Sequence, residues 1–585
     1  MSHYDYAVLA FYFVFMIAIS WAFRRFVNNV SDYFRSGGQI VWWMVGGSAF
    51  MVSFSAWTFT GAASKAYSDG WPIAMIYVAN SIGFICNALY FAPKFRQLRV
   101  ITAIQAVRER FGRANEQIFT WLQLPTGIIY AGIWLNSLGV FFSAAFGLDL
   151  TWTIVGTGLV VLFMSLVGGS WAVVASDFIQ VLILMPVCFV VAVLAVLKLG
   201  GFGAFLDRIP SHHFDFSQVF SKEFLLFWCV AMLIKQFTST NNLMDASRYL
   251  CVKDSRHARW AGFLGAGLFL VGIFIWFVPP MAAAALFPDL GAVYPTLKNP
   301  NEGAFMAVSQ AVLPVGMVGL LVSGIFAATM SSMDSGLNKN AGIFIKNFYQ
   351  PVLRPHATDR QLLRAGKLTT IVLGSFVILV AWQLSRLKGL SLFDMMVRFG
   401  SLVSVPITVP LVWGLLIKRT PPWAAWTTVA VGFASSLVCE NLLTSKWAGE
   451  FFFGPGTLLD RSSGEYWGQG IAVLLNIAVG SVWFIGSTLF WRQASPEYRA
   501  QVEGFFTKLH LPVDFHGEGG EDNSAGQEAL IGKLCIAYGA FVTVLMLIPN
   551  PLLGRLSFLV CGGIVLLIGV GLLRKSRRTL SLRPV

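Results

Sequence analysis

Charge is scarce in this chain. Only 12% of its 585 residues are Asp, Glu, Lys or Arg, about half the density of a soluble globular protein. With 56% hydrophobic residues and a mean hydropathy of +0.68, that scarcity excludes a soluble enzyme and a disordered protein. Cysteine is also sparse. The seven include no Cys-x-x-Cys pair, and Cys86, Cys188, Cys229, Cys439, Cys535 and Cys561 fall in apolar runs, where they read as small apolar residues. No histidine lies inside such a run, so a haem-ligating electron-transfer subunit loses support. A G-x-x-x-x-G-K-[ST] motif is absent, since Gly366-Lys367 lacks the first glycine and precedes Leu368; this speaks against an ATP-driven pump in one chain. No Lys or Arg precedes the first apolar run, whereas Arg24 and Arg25 follow it. That order is the reverse of a signal peptide, so the segment is expected to stay and to place the N-terminus outside.

Long apolar runs, by contrast, are plentiful. A membrane-crossing helix needs about 20 mostly apolar residues. Candidate spans fall at 4–23, 41–63, 72–93, 117–145, 151–168, 172–197, 223–246, 260–284, 303–330, 368–385, 390–417, 421–442, 468–490, 530–549 and 553–573, an all-α polytopic membrane protein with fifteen helices. The formal charge of +14 would suggest nucleic acid in a soluble chain; here its placement reports topology. Threading from an outside N-terminus puts 30 of the 42 Lys and Arg in cytoplasmic segments and 10 opposite, with Lys235 and Arg398 inside spans. That bias supports an outside N-terminus and an inside C-terminus.

Polar groups inside spans are costly and therefore informative. The second span carries Gly46, Gly47, Ser48, Ser53, Ser55, Thr58 and Thr60, and the seventh carries Lys235-Gln236 and Thr238-Ser239-Thr240-Asn241-Asn242. The latter stretch is too polar for lipid and predicts an interrupted helix facing protein or water. The ninth ends on Thr329, Ser331, Ser332, Asp334 and Ser335, whose hydroxyls can also bond back to their own helix. Spans two to six and seven to eleven form two groups of five, so the groups enter the membrane with opposite orientation. The first helix of each group is the interrupted one. Inverted repeats with paired broken helices are the pattern of secondary transporters with a midplane site. Free carbonyls and hydroxyls at such breaks suit a hard monovalent cation such as Na⁺, by analogy with other hard cations.

At these residues the chain resembles the sodium:solute symporter family. The similarity rests on Ser31-Asp32-Tyr33-Phe34…Gly37-Gly38, on Gly168-Gly169…Ala172…Asp177-Phe-Ile179-Gln180, on Arg248-Tyr249-Leu250…Lys253-Asp254, and on Ala327-Ala328…Ser331-Ser332…Leu337-Asn338. The segment 496–515 also resembles a cytoplasmic loop found in part of the family.

The resemblance implies a LeuT-type 5+5 inverted-repeat core with flanking helices in the plasma (inner) membrane. It implies Na⁺ as coupling ion, held by the carbonyls of Met51, Phe54 and Ala328 and the hydroxyls of Ser331 and Ser332. Asp177 matches an acid that some members use in a second cation site with Ser331, Asp334 and Ser335, though Asp334 departs from an all-hydroxyl version. Ser53, Trp57, Thr58, Tyr77, Asn80 and Asn242 occupy stretches that line the solute pocket in relatives. Sugar carriers have a polar pair where this chain has Trp57-Thr58, so glucose-type recognition does not carry over.

The organisation expected is an N-terminal flank (1–40), repeat one (41–199), an outside loop (200–222) and repeat two (223–417). Flanking helices (418–490), a cytoplasmic loop (491–529) and C-terminal helices with a basic tail (530–585) follow. The function expected is sodium-coupled symport of a small polar solute, sugar or amino-acid-like, by alternating access, with no enzymatic activity, organic cofactor or nucleic-acid partner. Partners are the solute and membrane lipid; the sequence leaves the oligomeric state open. Lys235 and Arg398 invite an anionic-solute alternative, although Lys235 is expected to snorkel towards the outer surface. An ion-translocating respiratory subunit would need a buried chain of Lys, Glu and His that this sequence lacks. A membrane transferase would need a catalytic cluster in a long outside loop, and neither 198–222 nor 444–467 carries one.

Overall fold

Backbone polar groups in hydrocarbon must be satisfied within the segment, which makes helix the default for apolar runs of this length. The computed structural model describes all residues except 24–37, 101, 168–169, 215–223, 388–389, 443–449, 451–453, 455–460, 516, 519–521 and 582–585. Residues 31–37, Gly168 and Gly169, on which part of the family resemblance rests, lie outside the described residues, as do Arg24, Arg25 and Arg35. In chain order the helices are α1 (His3–Phe23), α2 (Trp42–Val52), α3 (Gly61–Asp69), α4 (Trp71–Gln97), α5 (Arg113–Phe146), α6 (Leu150–Val167), α7 (Ser170–Lys198), α8 (Ala231–Thr240) and α9 (Ala246–Tyr249). They continue as α10 (Ser255–Leu286), α11 (Met317–Phe344), α12 (Asp359–Arg386), α13 (Leu392–Leu416), α14 (Ala424–Leu442), α15 (Gln469–Gln493), α16 (Pro496–His510), α17 (Ser524–Val544) and α18 (Leu552–Ser581). Among the described residues, eleven helical segments are long and apolar enough to cross a membrane, and Trp42–Val52, Leu150–Leu166 and Ala424–Glu440 are apolar but shorter.

Both expected interruptions are present, and in each a polar side chain replaces the lost helical hydrogen bonds. After α2 the chain extends at Ser55, whose hydroxyl accepts from the Trp57 N–H at 3.3 Å and opens the short 3-10 turn Ala56–Phe59 before α3. After α8, Asn242 accepts from the Met244 N–H at 2.9 Å and donates back to the carbonyls of Thr238 at 3.1 Å and Ser239 at 2.7 Å. Such local side-chain bonds are why Ser and Asn favour helix ends over helix interiors. The broken α2 packs against α7, α10 and α11. A Cβ at Gly46 would lie 2.9 Å from the Ala261 carbonyl oxygen, so the small residue is what lets α2 and α10 approach this closely.

The ninth span differs from its expected limits. The run 303–330 is two pieces: a short helix Ala304–Val312, then α11 from Met317. Pro314 lacks an N–H to continue the ladder, and Gly316 sits at φ +92, a conformation that L side chains rarely adopt. At its other end α11 runs on through Asn338, Lys339 and Asn340. Hydropathy ended the span too early because these polar residues face a cavity and not lipid. Ser331–Ser335 therefore lie at mid-helix.

At one end of the bundle, α16 and the segment after it form a strap. Arg99, at φ +57, donates to the carbonyls of Leu511 at 3.2 Å and Pro512 at 2.9 Å and pairs with Glu518 at 2.8 Å. Lys253, just after α9, bonds Asp522 and Ser524, each at 2.5 Å. Burial would raise the Asp522 pKa, but the hydrogen bonds from Lys253 and Ser524 outweigh it and hold the carboxyl at about 2.

Candidate functional site

The break after α2 lies against the middle of α11, and the contact is dense in oxygen. The Ser332 hydroxyl is within hydrogen-bond distance of four carbonyl oxygens: Phe54 at 2.6 Å, Met51 at 3.1 Å, Val52 at 3.2 Å and Ala328 at 3.3 Å. A hydroxyl has one proton to donate, so the cluster has more acceptors than donors. The neighbouring Ser331 hydroxyl is buried, with no well-formed hydrogen bond among the described residues and the Asp177 carboxylate close by. An excess of neutral oxygens is a donor set that suits a small hard cation. The five residues expected to hold sodium are thus neighbours here, with the Val52 carbonyl added. A second tie fixes the same break: the Ala56 N–H donates to the Thr329 hydroxyl at 2.8 Å.

Two residues further along α11 the chemistry changes from neutral to charged. Asp177 on α7 is fully buried; it accepts a hydrogen bond from Ser48 and lies 3.9 Å from the Arg248 guanidinium. The same guanidinium nitrogen donates to Ser335, and Asp334 accepts from Ser165 on α6. Asp177, Asp334 and Ser335, expected together as a second cation site, are brought to one region, but Arg248 already lies between Asp177 and Ser335. Sequence reasoning placed Arg248 in a loop after the broken helix, named Ser48 only among the polar residues of the second span, and did not single out Ser165. The signal available was a lone buried acid, which needs a cation, and Arg248 lies within the same family-like stretch.

A cavity of about 410 Å³ joins the two breaks. All six residues expected to touch the solute line it. They differ in availability. The Asn80 side chain makes no hydrogen bond among the described residues, and the Ser53 hydroxyl spends one, to the Ala49 carbonyl at 3.2 Å. Tyr77 and Thr58 share a hydroxyl–hydroxyl bond of 2.6 Å. Trp57 donates its indole N–H to the Leu392 carbonyl at 3.0 Å and stacks on Phe393, so it ties the first break to the start of α13. Asn242 is committed to capping: its amide also bonds Asp245 at 2.7 Å. The cavity wall continues past Arg248, Cys251, Thr102 and Lys339 towards the end of the bundle that carries the strap.

Lys235 and Arg398 depart from their expected settings in opposite ways. Lys235 does not snorkel: its ammonium lines the cavity, against Gly400. Arg398 faces away from the cavity, half-exposed and 3.7 Å from Glu440.

Comparison with known proteins bears on the family and the fold. The family model described as "Sodium:solute symporter family" matches residues 33–432. The chain is 27% identical over 454 residues to a sodium/glucose cotransporter of Vibrio parahaemolyticus, covering 72% of this chain and 82% of the relative. It is 25% identical over 488 residues to sodium/myo-inositol cotransporter 2 of Mus musculus, covering 75% and 70%. Among solved structures, a substrate-bound, outward-open Na⁺-coupled sialic acid symporter superposes with a TM-score of 0.68 at 20% identity, covering 85% of this chain and 98% of the other. Mhp1, of the nucleobase-cation-symport-1 family, gives 0.51 at 13% identity, covering 82% and 99%. These likenesses show the fold, that of LeuT-like transporters.

Proposed function

The chain belongs to the sodium:solute symporter family, a membrane-embedded sodium-coupled symporter of a small solute and not an enzyme, and on that premise we propose how its residues do the work. The five-helix groups 41–199 and 223–417 act as inverted repeats within fifteen spanning helices, with the N-terminus outside and the C-terminus inside. The flanking segments are 1–40, 418–490 and 530–585, and the strap within 491–529 is cytoplasmic. The 30-to-10 division of basic residues supports this orientation.

Sodium binds between the first break and α11, at the carbonyls of Met51, Phe54 and Ala328 and the hydroxyls of Ser331 and Ser332. The observation that carries this reading is the Ser332 hydroxyl within 3.3 Å of four carbonyl oxygens. A cation there draws the α2 break onto α11. It shifts the conformational equilibrium only by its differential affinity for the two packings, and the solute's affinity changes reciprocally. The extension of the cavity towards Thr102, Cys251 and Lys339, together with the Trp57–Leu392 tie at 3.0 Å, supports an inward-facing arrangement in alternating access. Loss of sodium to the cytoplasm then frees the break and releases the solute. Asp177, Asp334 and Ser335 act in this arrangement as an ion-pair latch on Arg248; a second cation would have to displace the guanidinium.

The solute is small and polar, held among Ser53, Trp57, Thr58, Tyr77 and Asn80. Aromatic faces with hydroxyl and amide groups suit a polyhydroxylated molecule, and the relatives named for glucose and myo-inositol support that class. The test is uptake of labelled sugars, polyols and sugar acids into proteoliposomes. An inward Na⁺ gradient is expected to drive accumulation that equal K⁺ or choline does not; equal uptake in all three salts rejects sodium coupling.

A further inference from the structure

Lys235 lines the cavity with no hydrogen bond or ion pair to its ammonium among the described residues. The other charged residues lining the cavity are Asp245, Arg248 and Lys339. Arg248 is engaged by Asp177 and Ser335; Asp245 bonds the Asn242 amide, and its charge reaches Lys339 and Tyr130. An ammonium at membrane depth is expensive and usually marks a functional contact whose partner is an anion.

The wall around it is shaped to receive one. A Cβ built on Gly400 would lie 2.9 Å from the Lys235 ammonium nitrogen and 3.5 Å from the Tyr130 hydroxyl. Both polar groups thus stand over the bare face of Gly400, with the ammonium packed so closely that even a methyl there would displace it. Tyr130 shares a 2.6 Å bond with Ser404, and either hydroxyl can be the donor. With Ser404 donating, the Tyr130 proton is free for a second acceptor. An ammonium and a hydroxyl donor close together on the cavity wall suit the two oxygens of a carboxylate, and a charge-assisted bond is about twice as strong as a neutral one.

We propose that the transported solute carries a carboxylate, which Lys235 and Tyr130 bind over Gly400. The proposal rests on the symport reading above and narrows its solute to small hydroxylated organic acids. Lys235 then sets specificity by charge: a neutral sugar or polyol leaves the ammonium unpaired and binds less well for that reason.

The experiment uses the full-length protein in nanodiscs with matched probes: glucose and glucuronate, galactose and galacturonate, glycerol and glycerate. Thermal stability is read in Na⁺ and in choline. In Na⁺, at least one acid is expected to raise Tm while its neutral partner leaves it unchanged. Lys235→Gln is expected to weaken that acid's binding at least tenfold. Gly400→Ala, whose methyl displaces the ammonium, is expected to do the same, and Lys235→Arg to retain part of it. All three variants should keep the Tm rise caused by Na⁺ alone, which shows that they fold. Stabilisation by neutral partners only, by no probe at all, or by an acid whose affinity is unchanged in Lys235→Gln, overturns the proposal. Acid binding that depends on Lys235 but is equal in Na⁺ and choline leaves the carboxylate site standing and rejects sodium coupling.

Discussion

Two neighbouring stretches of α11 bury polar atoms by opposite means. Around Ser332 every group is neutral: carbonyls freed by a broken helix meet a hydroxyl, with acceptors in excess. Around Asp334 and Ser335 charged groups gather: Asp177 pairs with an arginine from beyond the second break, which also bonds Ser335. A neutral cage loses little by standing empty, because dipoles cost far less to bury than ions. A charged cluster cannot stand open; removing one partner of a buried pair leaves an uncompensated charge. The neutral stretch is therefore suited to exchange an ion in every cycle, and the charged one to hold a conformation.

The largest predicted effect breaks the charged side. Arg248→Ala leaves the buried Asp177 without its cation and should cost about 3–5 kcal/mol of stability, read as a fall in Tm in detergent or nanodiscs. Asp177→Asn combined with Arg248→Gln should recover much of that loss, since neither charge is then stranded. A double variant as unstable as Arg248→Ala would show that the pair is not what stabilises this region. The next effect belongs to the neutral side. Sodium at a hundred times its Kd should stabilise the wild type by about 2.7 kcal/mol, and a tenfold weaker site in Ser332→Ala should cut this to about 1.4 kcal/mol. Thermal shifts over a NaCl titration at constant ionic strength measure both. A smaller effect concerns the tie between the first break and α13: Trp57→Phe keeps the stack on Phe393 but loses the bond to the Leu392 carbonyl, worth about 1 kcal/mol.

The smallest sharpens the comparison by moving the same charge chemistry to the water's edge. Asp522 is held at about 2 by Lys253 and Ser524, below the unfolded value of about 3.9. Its contribution to strap docking is complete above pH ~3.9 and is lost as pH falls towards 2. Screening keeps that contribution small for a half-exposed pair. Hydrogen exchange in α16 should accelerate over that window in wild type, and Lys253→Ala should show faster exchange already at neutral pH.

Much of this was legible in the sequence because membrane burial penalises polar residues so heavily. Ser331 and Ser332, the run before Asn242 and the lone acid Asp177 stood out against apolar surroundings, and the paired breaks followed from their positions. What escaped was set by three-dimensional packing. The ninth span was misplaced because an apolar break at Pro314–Gly316 resembles a continuous helix, whereas Asn338–Asn340 look too polar for one. Arg248 read as a loop cation because the residues it joins come from α7 and α11. Lys235 was expected to reach outward, since hydropathy reports depth but not whether a helix face meets lipid or a cavity.

Direct binding of radiolabelled ²²Na⁺ to the purified protein tests the central claim, that the neutral cage between the first break and α11 is the sodium site. The account predicts saturable binding that excess K⁺ does not displace, weakened at least tenfold in Ser332→Ala and retained in Lys235→Gln. Undiminished ²²Na⁺ binding in a Ser331→Ala/Ser332→Ala double variant would contradict it.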